Sequence, residues 1–85
     1  MQINVIGWPS TKTDRVLANV RAAVAESGCK TKVVWISDIG NIATLGPMLI
    51  PAVMINGRIR FSGRIPSVYE VATQLEESAR EDIAA

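Results

Sequence analysis

Eighty-five residues, 48% hydrophobic and 20% charged, with a net charge of +1, are enough for one globular domain and exclude intrinsic disorder, which needs low hydrophobicity and high net charge. The near-neutral balance supplies no bulk field to recruit nucleic acid or an anionic membrane. Zero histidines and one cysteine exclude a Ser–His or Cys–His nucleophile pair, an imidazole metal ligand, an internal disulfide, a two-thiol redox cycle and a thiolate zinc cage.

The first residues, Met1 to Gly7, have no basic segment followed by a long apolar stretch, so no secretory leader is expected. The apolar runs Val33–Ile36 and Pro51–Ile55 have strand length, far short of the roughly 18 residues of a membrane span. A single unpaired cysteine fits a reducing compartment, and a cytoplasmic chain is expected.

Gln2 to Ile6 alternates polar and apolar residues and stops at Gly7, which predicts a strand. Trp8 to Thr13 reads as a loop running into a helix start, because Pro9 lacks a donor and the small hydroxyl residues favour turns and caps. Thr11 with Asp14 three residues later fits a capping box, and Asp14 suits the positive end of the helix dipole. Val16, Leu17, Val20, Ala23 and Val24 then recur at helical spacing, predicting a helix from Thr11 or Lys12 to Ser27 with Gly28 as its stop.

Lys32 to Ser37 carries the uninterrupted run Val33-Val34-Trp35-Ile36, the pattern of a strand buried on both faces, with Trp35 in the core. Asp38 is an N-cap candidate for a short helix, Ile39 to Leu45, before Gly46-Pro47 breaks the chain. Ala52 to Ile55 is a strand, Asn56-Gly57 a strong two-residue hairpin signal, and Arg58 to Phe61 alternates as an edge strand with one wet face. Ser67 with Glu70 makes a second capping box ahead of Val68, Val71, Ala72 and Leu75, predicting a helix to about Arg80 with a charged outer face.

The order is β-α-β-α-β-β-α, whose first unit gives a parallel strand pair and whose hairpin adds an antiparallel one. With Ile3-Asn4-Val5-Ile6-Gly7, the helix segment Asn19 to Gly28, Ile50-Pro51-Ala52-Val53-Met54-Ile55-Asn56-Gly57 and Ser62-Gly63-Arg64-Ile65-Pro66-Ser67, the chain resembles the small thioredoxin-like proteins often called redox-active disulfide proteins. The resemblance covers nearly the whole chain. It implies one thioredoxin-like α/β domain over 1–85, a four-stranded mixed sheet with helices on both faces. It also implies a cis bond before Pro51, facing the loop that leads into the first helix.

The family carries a C-x-x-C motif, and aligned without gaps its two thiol positions fall on Ser10 and Thr13 of Ser10-Thr11-Lys12-Thr13. Disulfide exchange needs a thiolate attacking sulfur, which a hydroxyl does not do near neutral pH. The expectation is therefore a binding module with no catalytic residue, metal or cofactor. Its surface would be Trp8, Pro9, Ser10, Thr11, Lys12, Thr13, Ile50, Pro51 and Gly63, and its partner a protein, peptide or small ligand.

Each of these residues also has a plain structural use. Ser10, Thr11 and Thr13 suit helix capping, Pro51 suits a tight turn, and Trp8 suits either an exposed anchor or a sheet edge. Arg58, Arg60 and Arg64 form a basic cluster that reads as a solvated edge, with phosphate binding as the sharper option. Cys29, beside the helix stop, reads as an incidental small residue. The alternative is a thiol-disulfide oxidoreductase or glutaredoxin-like role through a mixed disulfide at Cys29.

Overall fold

The computed structural model describes residues 1–28, 30–38, 40 and 49–84, with 82–84 given by their helical backbone. The elements are β1 (Gln2–Ile6), α1 (Thr11–Ser27), β2 (Lys32–Ile36), β3 (Ala52–Ile55), β4 (Arg58–Ser62) and α2 (Val68–Ala84). Apart from Gly40, the predicted helix Ile39–Leu45 lies outside the described residues, as does Cys29.

The four strands form one mixed sheet in the order β2-β1-β3-β4. β1 runs parallel to β2 and antiparallel to β3, and β3 and β4 form the hairpin turned by Asn56 and Gly57, both at positive φ. That pair of positive φ values suits the right-handed twist of the strands it joins. The turn is tied back to β1, where the Gln2 amide donates to the Asn56 side chain and the Asn56 amide to the Gln2 carbonyl.

The alternation in β1 explains where the core sits. Ile3 and Val5 point the same way as their register partners Ile55 and Val53, and all four are buried. They join Val16, Leu17, Val20 and Ala23 of α1 and Val71 and Leu75 of α2 in one cluster, so both described helices pack on this face and on each other. Fully burying each such Val, Leu or Ile side chain is worth about 1.5–3 kcal/mol. Asn19 adds a polar tie, its side-chain amide donating to the Pro66 carbonyl ahead of α2. Ile6 and Ala52, on the opposite face, are also buried.

Several expectations are corrected. β2 is an edge strand with one neighbour, none of its residues is buried, and Trp35 is 39% exposed rather than in the core. The cap of α1 is Ser10, one residue earlier than the Thr11–Asp14 box: its hydroxyl oxygen accepts from the Thr13 amide. β4 is the other edge, as expected, but its alternation is broken by an irregularity opposite Val53 and Met54. Arg60 is the extra residue there, so Arg60 becomes half-buried and Ile59 is 44% exposed. α2 runs on to Ala84, past Arg80. Its capping box is formed as expected: Glu70 accepts from the Ser67 amide, and the Ser67 hydroxyl accepts from the Glu70 amide.

Candidate functional site

The segment between β1 and α1 is held by its own hydroxyls. Ser10 is in extended backbone conformation as the N-cap, and its hydroxyl donates to Thr13 Oγ1 at 3.2 Å while accepting from the Thr13 amide at 3.1 Å. Thr13 is buried and donates its own hydroxyl proton to the Trp8 carbonyl at 2.7 Å. The two hydroxyls therefore face each other and fix the loop. Trp8 is left 47% exposed on the outside of that loop. Pro9, Thr11 and Lys12 are exposed as well.

The second wall comes from the segment before β3. The Ile50–Pro51 peptide bond is cis. Pro51 is buried and Ile50 half-buried. Gly63 holds this segment from beneath, its amide donating to both the Leu49 and Pro51 carbonyls at 3.0 Å. Its φ of 75° favours glycine, and a Cβ there would lie 2.9 Å from Leu49 Cβ. Among the described residues, no hydrogen bond takes up the backbone amide or carbonyl of Ile50.

Gly7 is where the two walls meet. A Cβ on Gly7 would collide with Thr13 Oγ1 at 2.7 Å and make an ordinary contact with Pro51 Cβ at 3.5 Å, so only a residue without a side chain lets the first turn of α1 approach this closely. The Gly7 amide donates to the Ile36 carbonyl, and its carbonyl accepts from the Trp35 indole N–H at 2.9 Å. Trp35 thus braces the site from the β2 edge.

Between the walls is a cleft of about 140 Å³, with Trp8, Ser10, Lys12 and Thr13 on one side, Ile50 and Pro51 on the other, and Gly7 between. It gathers most of the surface expected from the sequence and leaves out Pro9, Thr11 and Gly63. Gly7 is the member that sequence reasoning missed. Its only signal was a glycine ending a strand, which reads equally well as a simple stop. The cleft contains one cation, Lys12, and no carboxylate. No ion pair among the described residues involves Lys12.

The basic cluster near the hairpin is built differently. Arg60 and Arg58 lie 2.8 Å and 3.8 Å from the same Glu81 carboxylate oxygen, and Arg64 pairs with Glu70. Arg64 also sits over the Phe61 ring at 5.2 Å. The hydrogen bond from Arg64, then the Ser67 amide, holds the Glu70 carboxyl well below its usual range, at about 2. These arginines are spoken for by carboxylates of the same chain. Among the described residues no three His, Cys, Asp or Glu side chains group to hold a metal ion, and no helix is long and apolar enough to cross a membrane.

A mixed sheet with this strand order, and a proline segment facing the N-terminus of the first helix, defines a thioredoxin-like domain. Residues 1–76 match the family described as the thioredoxin domain, and the chain belongs to that family. It is 32% identical over 74 residues to a thioredoxin of Methanocaldococcus jannaschii, spanning 87% of this chain and 85% of that protein. No solved structure matches the chain.

Proposed function

We propose that this chain is a thioredoxin-like binding module that works without a redox dithiol, taking an extended peptide segment of a partner protein in the cleft between Trp8–Thr13 and Ile50–Pro51. The observation that carries this reading is the hydrogen-bonded hydroxyl pair of Ser10 and Thr13 beside a cleft whose proline wall is intact. Hydroxyls cannot exchange with a disulfide near neutral pH, whereas the surface that would receive a substrate needs no thiol. The backbone groups of Ile50, which take no hydrogen bond among the described residues, suit the addition of an extended chain, with main-chain hydrogen bonds for affinity and side-chain contacts for choice. Exposed Trp8 is the aromatic anchor beside them. The single cysteine supports a cytoplasmic setting.

Insulin-disulfide reduction tests the chemical half. The purified monomer is expected to leave the rate at that of the added small-molecule thiol alone, and robust turnover overturns the reading. Tryptophan emission during titration with extended peptides tests the binding half. A saturable change that is lost in Trp8→Ala is expected, and peptides that leave the emission unchanged contradict it.

A further inference from the structure

We infer that the segment taken by this cleft carries a carboxylate side chain next to an apolar one, the carboxylate pairing with Lys12 and the apolar group lying against Trp8 and Ile50. This inference rests on the peptide-binding reading above and names the partner's chemistry.

The charge balance of the cleft is one-sided. Lys12 lines it, no Asp or Glu does, and no carboxylate among the described residues pairs with Lys12. Asp14, two residues on, is exposed in the first turn of α1 and is not part of the lining. The Ser10 and Thr13 hydroxyls are already engaged with each other, with the Thr13 amide and with the Trp8 carbonyl. The Lys12 ammonium is therefore the charged donor left to a ligand, and the positive end of the α1 dipole has the same sign. A cationic partner segment would meet like charge, and a neutral one would leave Lys12 solvated.

The apolar half of the preference has its own basis. Half-buried Ile50 lines the cleft across from exposed Trp8, beside buried Pro51. Gly63 pins the Leu49 and Pro51 carbonyls on either side of it, so Ile50 is presented from a backbone position fixed by hydrogen bonding. Apolar surface beside one unpaired cation is complementary to an acidic–apolar pair of neighbouring residues.

The experiment titrates the full isotope-labelled chain with three short extended peptides that differ only at one position, Glu, Gln or Lys, beside a fixed leucine. The Glu peptide is expected to bind about two- to fivefold tighter than the Gln peptide at low salt, as an exposed ion pair allows, with the Lys peptide weakest. The gap should shrink as salt is raised. Lys12→Gln should erase the Glu preference and Lys12→Glu should reverse the order. Both variants are at an exposed first-turn position where an acidic residue is compatible with the helix. Equal binding of Glu and Gln peptides, or a preference that survives Lys12→Glu, overturns the inference while leaving the binding reading standing. Binding of none of the three overturns both.

Discussion

The cleft and the arginines around β4 treat their charges in opposite ways. Around β4 and α2, Arg58, Arg60 and Arg64 each face a glutamate of the same chain, and Arg80 pairs with Glu76 along the helix. At the cleft, Lys12 faces open space beside Trp8 and Pro51 with no carboxylate in the lining. From sequence the three hairpin arginines, clustered within seven positions, read as a solvated edge with phosphate binding as the sharper option. Their pairing with glutamates of the same chain fits the first of these. Charges already neutralised within the chain describe how an edge strand and a helix are held together, whereas an uncompensated charge over a cleft is available to something else.

The largest test of the contrast is a gain of chemistry. Ser10 Oγ and Thr13 Oγ1 lie 3.2 Å apart, close enough for sulfurs at the same two positions to reach bonding distance with a small rotation. The double variant Ser10→Cys with Thr13→Cys is expected to oxidise to an intramolecular disulfide, seen by thiol counting, and to acquire insulin-reducing turnover that the parent lacks. A double variant that keeps both new thiols free after oxidation shows that Ser10 and Thr13 do not face each other as described.

The next effect is on packing. Gly7→Ala places a methyl group 2.7 Å from Thr13 Oγ1, forcing Thr13 and the first turn of α1 to shift. It is expected to cost about 1–3 kcal/mol in urea denaturation and to weaken peptide binding at the same time. A neutral result would mean that the approach at Gly7 is loose.

The hairpin arginines should respond more weakly, and through pH. Glu70 titrates at about 2 in the folded chain against an ordinary value of 4.5. A carboxyl whose folded value is depressed contributes stability that is complete above the ordinary value and is lost as pH falls toward about 2. Glu70→Gln keeps a capping-box residue but removes the charge, so it should flatten the stability profile in that acid window and leave peptide binding at neutral pH unchanged. An unaltered acid profile would show that the Arg64–Glu70 pair contributes nothing. Smallest of all, Arg58→Ala should shift stability by no more than about 0.5 kcal/mol, since its pair is long and its side chain exposed. A larger loss would assign Arg58 a structural part that the geometry does not.

Much of the scaffold could be read in advance because its signals are local. The alternation of Gln2–Ile6, the Asn56–Gly57 turn and the Ser67–Glu70 box depend on neighbours a few residues away, and each forms where the pattern puts it. Apart from the helix ends, where Ser10 takes the cap expected of Thr11 and α2 runs past Arg80, the misreadings are long-range. An apolar run such as Val33–Ile36 looks the same in a central strand and at an edge, and only the order β2-β1-β3-β4 decides between them. The irregularity that turns Arg60 inward depends on register with β3. Within the site, Trp8, Lys12 and Pro51 were legible from loop chemistry and family resemblance, but the role of Gly7 was not. It exists only because residues from three separate segments converge on one missing side chain.

The most direct measurement is an amide chemical-shift map of the full chain titrated with extended peptides bearing an acidic–apolar pair. Perturbations centred on Gly7, Trp8, Lys12 and Ile50, with Arg58 and Arg60 unmoved, are the expected outcome. Shifts confined to Arg58–Arg64, with the cleft silent, would contradict the assignment of the cleft as the binding surface.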